Sequence, residues 1–252
     1  MSVLAKANAK KLLDKYCIEK PSDLNLVKIA NAEFLDVRFE NLDHCYGRIS
    51  YKNDFGAITV STTIKDSGQE NFVLAHEMGH FYNERKKNQS VKCEGDIIMQ
   101  RSGREFDANV FAAELIMHEP WFYEFTNRKK LSSELLRDIA DYFKTSLSSA
   151  AMRYTELGNT PTAIILTTDG TVKYSRINSY FPYQFIRNGM TVNNNSYTSD
   201  FYNGDEISRT AEEIPIEAWF LEDFNYKKNQ FIMEQNIPMP SYNSCLTILW
   251  EK

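Results

Sequence analysis

The chain has 252 residues, long enough to bury a core and to form one or two domains. Its 42% hydrophobic and 25% charged residues are ordinary for a soluble globular protein. A formal charge of −5 argues against broad attraction to nucleic acid or to an anionic membrane.

Residues 2–16 (SVLAKANAKKLLDKY) predict an amphipathic helix, with Leu4, Leu12, Leu13 and Tyr16 offering apolar contacts. Pro21 and Ser22 open a second short helix through Ala30. The segments Tyr46–Tyr51 and Ala57–Thr62 are rich in β-formers, and the intervening Lys52–Gly56 gives a hairpin. Ser67-Gly68-Gln69-Glu70 fits a capping box that starts a helix running to about Asn83. A further helix spans Arg104 to about Met117. Phe106, Val110, Ala113 and Met117 share one of its faces, and Glu105, Asn109, Ala112 and Ile116 another. Leu131–Gly158 reads as helix–turn–helix, with Ser132 or Ser133 capping the first helix, Ser146 starting the second and Gly158 ending it. Beyond it the composition turns to strands and aromatics. Ala163–Thr168, Asp169-Gly170 and Thr171–Arg176 form a hairpin, and Leu246–Trp250 is a buried terminal strand. The boundaries expected are 1–128, 129–159 and 160–252.

His76-Glu77-Met78-Gly79-His80 lies in the second half of the predicted 67–83 helix. Residues four apart point the same way, so both imidazoles reach one metal ion. Glu77 is turned about 100° from His76 and reaches a water on that metal as general base. Catalytic zinc takes three protein ligands and leaves a position open. Glu105 is the best candidate for the third, with Asn109 on the same face as an orienting partner for a ligand histidine. Asp107 competes but lies about 200° round the helix from Glu105. Glu94, Asp96 and Glu114 read as solvated charges, and Cys93 as a small thiol rather than a fourth ligand. Cys17, Cys45, Cys93 and Cys245 lack CxxC spacing and look like reduced cysteines. With no apolar run near the roughly 20 residues of a membrane span and no signal-peptide core, a cytoplasmic location is expected. Tyr82, Tyr46, Tyr123 and His118 are open choices for stabilising an oxyanion, and the remaining His44 reads as a surface or packing residue. The pattern points to a metal-dependent hydrolase, with zinc the default for His/His/Glu and manganese or iron as alternatives.

The segments FVLAHEMGH (72–80) and EFDANVFAAELIM (105–117) resemble the ImmA/IrrE family of metallopeptidases, whose pattern is AHELGH followed by E-x-x-AN-x-FAAELLMP. The resemblance covers roughly residues 5–158. It departs where the family proline after LLM is replaced by His118-Glu119, with Pro120 two residues on. It implies an α+β, gluzincin-like N-terminal domain, a small antiparallel sheet on the motif helix with a helix-turn-helix-like module. It implies His76, His80 and Glu105 as zinc ligands, Glu77 as catalytic base, and cleavage of a helix-turn-helix repressor. No DNA-binding domain precedes the catalytic region, so that repressor is expected to be a separate chain. Residues 160–252 resemble the β-rich regulatory domains of some relatives, GAF-like ones among them. Their aromatics could line a pocket for a small molecule or protein, though core packing is favoured.

Three other functions compete, one of them a general degradative protease acting on unfolded substrates. Direct DNA binding is disfavoured, because Ser146–Leu157 carries one Arg and one Glu. A repressor- or antitoxin-binding protein with a structural or weakly active metal site is the principal alternative. The reading reached from sequence is a zinc endopeptidase with a C-terminal sensor-like domain.

Overall fold

The computed structural model describes residues 2–84, 90–92 and 103–252. Cys93, Glu94 and Asp96, considered above, lie outside the described residues. Among those described, no helix is long and apolar enough to cross a membrane. The chain is α+β and divides into two compact units, Met1–Asn127 with Asp138–Ala150, and Arg128–Arg137 with Ala151–Lys252.

The first unit begins with α1 (Val3–Lys15), whose N-terminus is capped by the Ser2 hydroxyl accepting from the Ala5 N–H at 3.3 Å. Its buried stripe is Ala5, Ala9, Leu12 and Leu13, whereas Leu4, expected to pack, is 61% exposed. The helix lies along α4, and the small alanines let the two approach closely. The helix expected from Pro21 to Ala30 is two pieces. A 3₁₀ turn, Pro21–Asp23, is followed by extended Leu24 and Asn25, and α2 (Leu26–Ala32) starts when the Asn25 side chain accepts the Lys28 N–H at 3.0 Å. Asn25 competes with the helix for its own backbone and wins a cap instead.

Four strands follow: β1 (Leu35–Glu40), β2 (Gly47–Lys52), β3 (Phe55–Ser61) and β4 (Ser90–Lys92), in the order β1-β3-β2-β4. The predicted hairpin is β2–β3, closed by Asn53 in the left-handed region with Lys52 opposite Phe55. The sheet is mixed rather than antiparallel as expected. The chain reverses twice between β1 and β3, and β1 pairs with β3 rather than with β2, so that pairing is parallel.

The motif helix is α3 (Ser67–Glu84), and the expected Ser67 capping box is not what starts it. Asp66 is the cap: its Oδ1 accepts the Gln69 N–H at 2.6 Å and its carbonyl accepts the Glu70 N–H at 3.0 Å. Helix α4 (Gly103–Ile116) packs along α3, and α5 (Glu119–Thr126) follows with Pro120 in its first turn. Helices α6 (Ser133–Phe143) and α7 (Leu147–Leu157) begin at the Ser132 and Ser146 hydroxyls, which accept the Leu135 and Ser149 N–H groups, each at 3.2 Å. The division between the units passes through both helices.

The second unit holds an antiparallel sheet in the order β6-β5-β9-β8-β7, from β5 (Thr162–Thr168), β6 (Thr171–Ile177), β7 (Glu212–Pro215), β8 (Phe231–Met239) and β9 (Ser244–Trp250). Asp169 and Gly170 both have positive φ, as a two-residue hairpin requires. Short helices α8 (Thr198–Asn203) and α9 (Glu217–Phe220) complete it. Phe181, Tyr183, Trp219 and Phe220 are buried together in its core, so these aromatics pack.

Candidate metal centre

Helix α3 places His76, Glu77 and His80 on its buried side, each fully inaccessible to solvent. Helix α4 can lie against it because Gly79 has no side chain: a Cβ there would stand 2.9 Å from the Ala108 Cα and 3.0 Å from its carbonyl oxygen. The close approach of the two helices at Gly79 and Ala108 brings the first turn of α4, with Glu105, over the two histidines.

The donor atoms of His76, His80 and Glu105 all lie within 4.8 Å of one another. The His76 Nε2 is 3.1 Å from His80 Nε2 and 3.1 Å from Glu105 Oε2, and His80 Nε2 is 3.4 Å from Glu105 Oε1. Ligand atoms about 2.0–2.1 Å from a tetrahedral zinc stand about 3.3–3.4 Å apart, so these separations fit the edges of such a site. The outer nitrogens explain why the inner ones carry lone pairs. His76 Nδ1 donates to Asn109 Oδ1 at 2.8 Å, and His80 Nδ1 faces Glu84 Oε1 at 3.4 Å. With both protons turned outward, two imidazole lone pairs and a carboxylate converge on one point. A divalent cation fits that donor set.

The three groups also shift one another's proton affinity. Burial dominates at His76 and pushes its imidazole below the ordinary value. At His80 burial acts in the same sense, but Glu105, Glu77 and Glu84 outweigh it and the net shift is upward. Burial would raise the Glu105 carboxyl, yet His76 and His80 hold it well below the usual carboxylate range.

Glu77 lies under the first residue of β2. A Cβ on Gly47 would collide with Glu77 Oε1 and stand 2.7 Å from Val73 Cγ1, so only glycine leaves the carboxylate its place. Asp107 stands outside the three-residue group. Glu114, read as a solvated charge, is instead buried, accepting from His118 Nδ1 at 2.6 Å and from the Glu119 N–H at 3.3 Å. Of the oxyanion candidates, Tyr82 stacks on Phe111 at 5.4 Å. Its position two residues past His80 turns it about 200° from that side chain. His118 follows the far end of α4, about 20 Å along the helix from Glu105. Tyr46 adjoins Gly47, Tyr123 is half exposed on α5, and His44 is exposed.

Sequence reasoning missed Glu84, Arg104 and Gly47. Glu84 Oε2 forms an ion pair with Arg104 Nη2, and burial together with the Glu84 charge raises the nearby Tyr51 hydroxyl. Glu84 was findable, since it falls four residues past His80 on the same helix face. Gly47 carried no local signal.

Residues 33–155 match the family model of the IrrE N-terminal-like domain, a peptidase family; α1 and α2 precede the matched stretch. Among solved structures the chain is similar to a Mycobacterium tuberculosis transcriptional regulator, with 12% identity and a TM-score of 0.59, over 98% of this chain and 75% of that one. At that identity the likeness is one of fold. No curated protein matches the chain. The resemblance read from the two motifs is thus borne out: residues 33–155 belong to the ImmA/IrrE family.

Proposed function

We propose that the chain is a zinc-dependent endopeptidase that hydrolyses a peptide bond in a separate helix-turn-helix repressor. The observation that carries this reading is the convergence of His76 Nε2, His80 Nε2 and Glu105 on one point, beside the buried carboxylate of Glu77. A divalent ion held by His76, His80 and Glu105 would supply a Lewis acid that activates water and polarises the scissile carbonyl. Glu77 then takes one proton from the attacking water and delivers it to the leaving amine nitrogen as the C–N bond breaks. Asn109 holds the His76 ring by accepting its Nδ1 proton. Exclusion of solvent from His76, Glu77 and His80 strengthens each of these interactions.

Membership of 33–155 in a family whose resemblance implies repressor cleavage supports the substrate class, and the fold shared with a transcriptional regulator agrees with it. The C-terminal sheet would serve as the regulatory, sensor-like unit.

The test pairs the full chain with any helix-turn-helix repressor found encoded beside it, using wild type and Glu77→Gln with metal content measured in both. The variant should keep about one metal per chain and lose roughly 10²–10⁴-fold in cleavage rate. Reconstitution with zinc, manganese or iron identifies the working ion. Cleavage at the wild-type rate by E77Q would overturn the mechanism. Tight repressor binding by wild type without cleavage would instead establish a binding protein.

A further inference from the structure

We infer that Glu84, held by Arg104, is a positioning residue for His80 that fixes which imidazole nitrogen faces the metal centre. The inference rests on the metal-centre reading above. Glu84 is buried at 5% exposure, and an isolated ionised carboxylate is costly to remove from water. The chain retains it with its two oxygens divided: Oε1 faces His80 Nδ1 at 3.4 Å, while Oε2 takes the Arg104 guanidinium. A carboxylate in that place accepts the Nδ1 proton and leaves the Nε2 lone pair directed inward.

The connectivity makes the arrangement more than an ion pair between helices. Arg104 and Glu105 are adjacent in the first turn of α4. Glu105 reaches His80 Nε2 directly at 3.4 Å, and Arg104 reaches His80 Nδ1 through Glu84. One turn of α4 therefore addresses both ends of one imidazole. The other histidine is treated in parallel but with a neutral acceptor, since Asn109 of α4 takes His76 Nδ1 at 2.8 Å. His80, alone of the pair, has a carboxylate behind it, which makes its ring the more basic donor.

The experiment uses the full chain stripped of metal, in wild type, Glu84→Ala, Glu84→Gln and Arg104→Ala. Zinc affinity is measured by competition with a chromophoric chelator, the visible absorption of the cobalt-loaded protein is recorded, and circular dichroism checks the apo fold. E84A should bind zinc about 10–100-fold more weakly, with altered cobalt bands. R104A should fall between E84A and wild type. E84Q keeps the shape and an amide oxygen to accept the proton, so its loss should be smaller and its fold intact. If E84A does not fold, E84Q decides. Wild-type zinc affinity and wild-type cobalt bands in the folded variant would overturn the positioning role, because a purely structural ion pair predicts that result. Failure of wild type to bind zinc or cobalt would overturn the metal-centre reading instead, and the two failures are told apart in one titration.

Discussion

Each unit sets a glutamate among polar partners, Glu234 buried and Glu105 partly so, and the two surroundings are opposite in kind. In the second unit Glu234 is met by donors. Ser196 Oγ lies 2.9 and 3.0 Å from its two oxygens, the Thr198 N–H at 3.0 Å, the Trp219 indole N–H at 2.8 Å and the Asn236 amide at 2.7 Å. These bonds tie the 196–198 turn and α9 to strand β8, and the charge is answered from within the protein. In the first unit His76, His80 and Glu105 direct acceptor atoms towards one another at 3.1–3.4 Å. Donors answered by an acceptor make a structural joint, whereas acceptors gathered together make a place for a cation.

The largest effect that would sharpen this contrast comes from Glu234→Leu. Removing the carboxylate strands the Trp219 and Thr198 N–H groups inside the fold, at a cost of about 3 kcal/mol. The loss should appear in the unfolding transition of the C-terminal unit, with metal stoichiometry unchanged. Burial raises the Glu234 carboxyl above its ordinary value against the pull of its donors. The folded chain therefore takes up this proton before the unfolded one does. Its contribution to stability is greatest in acid and falls as pH rises out of the ordinary carboxylate range, a slope that E234L should lose. A variant that lost its metal along with its C-terminal stability would break the contrast.

A smaller effect is expected in the first unit from Gly47→Ala. The added methyl meets two side chains, the far end of Glu77 and the Val73 Cγ1, and no backbone; the carboxylate end gives way the more readily, so it moves rather than the strand. A displaced base should lower kcat about tenfold or more, with one metal still bound per chain. Steady-state cleavage beside metal analysis checks it, and full activity in G47A would show that Glu77 needs no fixed place.

What was legible in the sequence follows the same division between local and tertiary causes. The spacing of four from His76 to His80 and again from Glu105 to Asn109 is a property of a single helix, and both pairs meet as expected. The Asp169-Gly170 hairpin and the Ser146 cap are equally local. Strand β8 was hidden because its buried residues include Glu234, Gln235 and Asn236, whose polarity serves contacts with Ser133, the 196–198 turn and Trp219 and erases the apolar alternation. Pro238 added to the disguise. It lies beyond Phe231–Glu234, the stretch paired with β7, so no neighbour on that side misses its N–H. Strand β1 sits at a sheet edge with most of its length exposed, which left LDVRFE without a clear pattern. Gly47 and Glu114 have reasons that exist only once distant segments are packed.

The smallest effect separates the units most finely. Asp66 caps α3, the helix that carries His76, Glu77 and His80, and Asp66→Ala removes the acceptor of the Gln69 N–H at a cost of about 1 kcal/mol. A ligand that binds only the folded state adds stability in proportion to the logarithm of its concentration over Kd, about 2.7 kcal/mol at a hundredfold excess. Saturating zinc should therefore more than offset the D66A loss in thermal unfolding of the first unit. The E234L transition should not respond, because the group that could hold a metal ion among the described residues, His76, His80 and Glu105, belongs to the other unit. If zinc stabilised both variants equally, or neither, Glu105 and Glu234 would not differ in the way their partners indicate.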